Sequence, residues 1–154
     1  MRPPARRKAS RKPGARKTPA GSNAKVAPLA DLIVTAPRLT EAKAARARVT
    51  DWLADLARVE AKPLATLLAA KPIVRTLLGG LSESSPYLWE LITREPERFL
   101  RLLQSNPDQH LSALLTEHGV AVASSTDEAE AMRLLRRMKS EAALLIALAD
   151  ILWS

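Results

Sequence analysis

The sequence predicts an all-α protein: an irregular multi-helix domain with a long C-terminal helix, preceded by a disordered basic tail. Three observations support this. Hydrophobic residues make up 47% of the 154 positions, but aromatics only 3%, a composition suited to helices packed through Ala and Leu. No stretch keeps the apolar–polar alternation of a strand, and β-branched residues are not enriched. Apolar residues instead recur in steps of three and four, and prolines stand where such runs begin.

Residues 1–27 read as the tail. Nine of the 24 basic residues lie in 1–25, which hold no Asp or Glu, leaving 15 against all 16 acidic residues in the rest. The formal charge of +8 therefore belongs to the tail, and no basic face on the folded part follows from it. The tail is too polar and proline-rich to bury a core. It is a candidate for polyanion contact, although it lacks aromatics to stack on bases. No apolar h-region follows its charges, and Pro3, Pro4, Pro13 and Pro19 would break the amphipathic helix of a transit peptide.

Residues 28–154 read as the helical domain. Pro28 to Thr40 is a connection with at most one helical turn, closed by Pro37. Thr40 is the expected N-cap of a helix running to about Glu60, whose apolar stripe is Ala45, Val49, Trp52, Leu53, Leu56 and Val59. Pro63 and Pro72 each suit a first helical position, with Gly79 and Gly80 as a C-terminal stop. Ser84 or Ser85 caps the next helix, opened by Pro86 and ended before Pro96. Pro96 opens another, with Phe99, Leu100, Leu102 and Leu103 inward. Asn106-Pro107 opens a third, expected to stop at Gly119. Ser125 with Glu128 matches a capping box, starting a long helix from Asp127 to about Trp153. Along it, Met132, Leu135, Met138, Ala142, Leu145, Ala149 and Leu152 form a near-heptad seam. No internal repeat is evident.

Chemistry is sparse. The chain has no cysteine, which removes disulfides, thiolate zinc sites, iron–sulfur ligation and thiol catalysis. No apolar run reaches the ~18–20 residues of a membrane span, so no membrane partner is expected. Ala142 to Trp153, interrupted by Asp150, reads as a buried helix end. His110 and His118, the only histidines, lack the i, i+4 spacing of a helical metal pair. Ser82, Ser84 and Ser85 lie outside any nucleophile elbow, and no phosphate-binding glycine loop is present. Glu83, Glu90, Glu95 and Glu97 read as helix-end and solvent-face charges. The candidate site is Arg133, Arg136 and Arg137, which share one helix face able to meet phosphate or an acidic partner. The plainer reading is a solvated face balanced by Glu128, Glu130 and Glu141. No catalytic, cofactor-binding or metal-ligating residue is assigned.

SPYLWELITREPERFLRLL, followed by EAEAMRLLRRMKSEAALLIALADI, resembles the N-terminal region of the bifunctional glutamine synthetase adenylyltransferase/adenylyl-removing enzyme. The matching pieces are Ser85-Pro86-Tyr87-Leu88, Arg94-Glu95-Pro96, Glu130 to Arg137 and Leu145 to Asp150, within about residues 75–151. The resemblance implies a helical lead-in to a nucleotidyltransferase domain of an enzyme that adds AMP to, and removes it from, a tyrosine of glutamine synthetase. It implies magnesium and ATP for the full-length family, glutamine synthetase and a nitrogen-regulatory protein as partners, and a cytoplasmic location. The family's Gly-Ser and Asp-x-Asp signature would hold the magnesium ions. This sequence has no Asp-x-Asp, and its one Gly-Ser is Gly21-Ser22 in the tail. The expectation is a truncated or frameshifted fragment with no nucleotidyl-transfer activity of its own. The residues leave a second reading open: a stand-alone helical interaction module with a polycationic tail, binding nucleic acid or an acidic protein.

Overall fold

A computed structural model describes residues 26–152; the tail assigned to 1–27 lies outside them up to residue 25. The described residues form helices and connections, with no strand. In order they are α1 (Leu29–Leu32), α2 (Ala42–Asp55), α3 (Arg58–Ala70), α4 (Pro72–Ser84), α5 (Pro86–Arg94), α6 (Pro96–Gln104), α7 (Pro107–Ser124) and α8 (Glu128–Leu152).

Proline sets the starts as the sequence predicts. Pro72, Pro86, Pro96 and Pro107 each open a helix, where the missing N–H removes no intrahelical bond. Ser85 Oγ accepts from the Leu88 amide at 3.4 Å and Asn106 Oδ1 from the Gln109 amide at 3.1 Å, satisfying otherwise orphan donors. The single turn α1 is pinned by one backbone and one side-chain hydrogen bond: the Leu29 amide donates to the Ser105 carbonyl at 2.8 Å, and Asn106 Nδ2 to the Ala27 carbonyl at 3.1 Å. Leu29 and Ile33 thereby enter the core.

Several local expectations are overturned. The helix expected to reach Glu60 breaks at Leu56 and Ala57, both with extended backbone (ψ 145° at each). Leu56 packs against the core while Val59 is 81% exposed; no proline or glycine marks this break, and tertiary packing makes it. Pro63 lies inside α3 rather than at its start. It forfeits the bond its N–H would have made to the Val59 carbonyl. Gly79 and Gly80 do not stop α4, which continues to Ser84. They are buried where α4 meets the segment before α2, and a Cβ on Gly80 would lie 3.1 Å from Pro37. Gly119 likewise sits within α7, facing open space. No described glycine has positive φ, so none supplies the left-handed residue of a helix stop.

Two predicted caps are also replaced. Thr40 makes no side-chain cap; instead Glu83 at the end of α4 accepts from the Thr40 amide at 2.9 Å and the Glu41 amide at 2.7 Å. At α8 the cap is Asp127, whose Oδ1 accepts from the Ala129 amide at 3.1 Å, while Ser125 Oγ donates to the Asp127 carbonyl at 2.8 Å. The Ser125–Glu128 box does not form, because the helix starts two residues later than that pairing requires.

The main core cluster gathers buried residues from every helix except α7, which contributes the half-buried Leu111 at its border. It includes Val49, Leu64, Leu68, Leu77, Leu78, Ile92, Phe99, Leu102, Leu103, Leu144 and Leu148. Phe99 is fully enclosed, a burial that contributes about 1.5–3 kcal/mol. Trp52 borders this core and meets Trp89 edge-to-face, ring centroids 5.5 Å apart, a favoured quadrupole arrangement. Arg98 is buried among these residues; its Nη2 donates to the Leu91 carbonyl at 3.2 Å and its Nη1 lies 3.4 Å from Glu95 Oε1. It thus satisfies a last-turn carbonyl of α5.

α7 and α8 form an antiparallel hairpin, the most extensive helix pair in the fold. Its base is anchored by Leu144, Leu145, Leu148 and Ala149. Toward its tip the seam is not covered: Met132 and Leu135 are exposed, as are Leu115 and Val120 on α7. Among the described residues no single helix is long and apolar enough to cross a membrane. Residues 61–70 and Pro72–Ser84 reach the required length only as a pair bent by 111°, and their leucines lie in the core.

Candidate functional site

The three arginines singled out from the sequence differ in their surroundings. All are exposed on the tip half of α8. Arg133 lies 3.9 Å from Glu130 one turn back, a contact of the solvated kind. Of the three, Arg137 alone lines a groove, of about 460 Å³, closed by α6, α7 and α8.

Helix grammar explains why the groove is there. Pro107 starts α7 directly after α6, and α8 returns along α7, so Arg101 in the last turn of α6 faces the same space as Arg137. His110 and His118, two turns apart on α7, also line it, with Glu117 and Glu141. Ala113, Leu114 and Leu134 complete the lining, and Leu114 is buried.

The polar groups differ in how far they are satisfied. His110 Nε2 and Glu141 Oε1 are 2.7 Å apart, each side chain less than one-fifth exposed. A carboxylate accepts, so this nitrogen carries the hydrogen. His118 Nδ1 donates to the Leu114 carbonyl at 3.0 Å, which fixes its ring; Nε2 has no hydrogen-bond partner among the described residues. The guanidiniums of Arg101 and Arg137 make neither an ion pair nor a hydrogen bond among the described residues, whereas those of Arg94 and Arg98 each have a carboxylate partner. No group of three or more His, Asp or Glu among the described residues is placed to hold a metal ion.

Sequence reasoning missed Arg101, the His110–Glu141 pair and the position of His118. The available signal was the period of α7: His110, Leu114 and His118 recur every four residues, which puts both histidines on the face carrying the buried Leu114.

Comparison with known proteins finds relatives that share most of this segment. A protein of Bradyrhizobium diazoefficiens is 46% identical over 123 residues, 80% of this chain and 12% of the relative. One from Rhodopseudomonas palustris is 46% identical over 129 residues, 82% of this chain and 13% of the relative. One from Xanthobacter autotrophicus is 45% identical over 123 residues, 80% of this chain and 12% of the relative. Each of the three is a bifunctional glutamine synthetase adenylyltransferase/adenylyl-removing enzyme. This chain is similar to one segment of that enzyme. It spans about 12% of the length of these relatives, and the similarity covers much more of it than the pieces around residues 75–151 that first suggested the family. No protein-family model and no solved structure matches the chain.

Proposed function

We propose that this chain is the helical lead-in of a glutamine synthetase adenylyltransferase/adenylyl-removing enzyme and that it supports chemistry performed elsewhere in that enzyme. The observation behind this reading is identity of 45–46% along four-fifths of the chain to enzymes about eight times longer than the matched segment. The sequence has no Asp-x-Asp pair of the kind that would hold magnesium against nucleotide phosphates. On this reading magnesium and ATP are bound by the remainder of the enzyme. Its partners are glutamine synthetase and a nitrogen-regulatory protein, and its setting is the cytoplasm.

The uncovered tip of the α7–α8 hairpin fits the same role. Leu115, Val120, Met132 and Leu135 are the exposed apolar residues there, and the rest of the enzyme polypeptide is the occupant that would cover them. A second reading, a free-standing module whose basic tail binds polyanions, has the charge of residues 1–25 in its favour but leaves the similarity unaccounted for.

The test is complementation. A relative enzyme lacking the matched segment is expressed with and without this chain, and magnesium-dependent phosphorolysis of adenylylated glutamine synthetase is assayed. The expected result is no activity from this chain alone and recovery when both parts are present. Phosphorolysis by this chain alone, above a tag-only control, would overturn the reading.

A further inference from the structure

We propose that the groove between α6, α7 and α8 is a binding site for a phosphate-type oxyanion, held by Arg101 and Arg137 with His118 beside them. The proposal does not rest on the enzyme reading. Arg101 and Arg137 come from helices well separated in sequence, yet both line one groove. Neither has a carboxylate partner among the described residues, in contrast to Arg94, Arg98 and Arg133. A guanidinium presents planar paired donors that match the oxygen edge of a phosphate, and two of them lining one groove from different helices can share one anion.

The charge balance favours an anion. Of the two carboxylates in the lining, Glu141 is engaged by His110 at 2.7 Å. Among the described residues Glu117 is then the lining carboxylate without an ion pair, beside two guanidiniums that also have none. His118 adds a donor or acceptor at Nε2, its ring held by the 3.0 Å bond from Nδ1 to the Leu114 carbonyl. Buried Leu114 forms part of the lining, and an apolar wall strengthens charge–anion attraction relative to open water. The volume, about 460 Å³, lies in the ~300–1,000 Å³ range of small-molecule sites.

An acidic protein surface would be read differently. It would engage Arg133 and Arg136, which stand outside the groove on the same helix.

The experiment titrates the full chain with inorganic phosphate at fixed ionic strength and follows the two histidine side chains by NMR, with chloride as the control. Glycerol phosphate, run in parallel, separates a free anion from an ester head group, and saturable binding of either supports the site. The expected result is a saturable shift of the His118 signals. Arg101→Gln and Arg137→Gln should each weaken binding by about tenfold, Glu117→Gln should tighten it several-fold, and Arg133→Gln with Arg136→Gln should change it by less than about twofold. Absence of saturation, or binding that survives loss of both Arg101 and Arg137, overturns the proposal. So does phosphate binding lost in the Arg133→Gln/Arg136→Gln variant, which would assign the anion to the outer face. Both groove arginines are exposed, so their variants should keep the native circular dichroism. Should either misfold, Glu117→Gln still decides: tightening supports the site and an unchanged affinity overturns it.

Discussion

Glu83 shows how one side chain can take over a role that local sequence assigns elsewhere. Thr40 has the right chemistry to cap a helix, but the N-cap position of α2 falls one residue later at Glu41, and the Glu83 carboxylate reaches across from α4 to bind the Thr40 and Glu41 amides at 2.9 and 2.7 Å. A carboxylate at a helix N-terminus satisfies orphan donors and opposes the positive end of the helix dipole. It also ties α2 to α4 across more than forty residues of chain. Glu83→Ala should therefore cost about 1–2 kcal/mol, as loss of a good cap does, and Glu83→Gln less, because its amide oxygen still accepts. Urea denaturation of the two variants checks this: equal, negligible shifts of the midpoint would mean that the contact does not contribute. The charge on Glu83 was legible as belonging to a helix end; its partner was not, because nothing in local spacing tells which end.

At the scale of elements, the same division between local and tertiary causes decides what could be read. Helix starts at Pro72, Pro86, Pro96 and Pro107 were legible because the missing N–H is a property of one residue. Helix ends were legible where a proline follows, as at Glu95 before Pro96, but not where glycine was the signal. Glycine predicts a stop only where it adopts positive φ, and here Gly79, Gly80 and Gly119 all remain helical. The break at Leu56 carries no local signal. The candidate site was legible only in Arg137: Arg101, His110, His118 and Glu141 meet through the packing of three helices, and their convergence depends on that packing. The glycines yield a contrasting pair of predictions. Gly119 has open space around an added Cβ, so Gly119→Ala should stabilise by about 0.5–1 kcal/mol through helix propensity alone. Gly80→Ala gains the same propensity, but its Cβ would meet three atoms of the Pro37 ring at 3.1–3.2 Å. A ring yields little, and overpacking of that kind costs about 1–3 kcal/mol, so the net effect should be destabilising. Opposite shifts of the thermal midpoint are expected, and a stabilised Gly80→Ala would show that the α4 contact with Pro37 is loose.

For the whole molecule, stability should fall along the α7–α8 hairpin from base to tip. At the base, Leu144, Leu145, Leu148 and Ala149 are buried in the common core, so their amides open only when the core does. Beyond Leu114 on α7 and before Leu144 on α8, none of the described side chains is fully buried, and the two helices there have chiefly each other. Local opening of such a segment exposes little apolar surface and costs correspondingly little. Native-state hydrogen exchange should therefore find amides of residues 116–140 exchanging at least about tenfold faster than those of residues 99–103 and 144–149. Equal protection throughout would mean that the hairpin is cooperative with the core, contrary to its burial pattern. The same measurement bears on the proposed role. If the tip packs against the remainder of a longer enzyme, joining this chain to that remainder should slow exchange at 116–140 selectively, since covering Leu115, Val120, Met132 and Leu135 adds burial only there. Slowing confined to the base, or none, would mean that the tip stays open in the longer protein and that the support this segment gives is transmitted through its core.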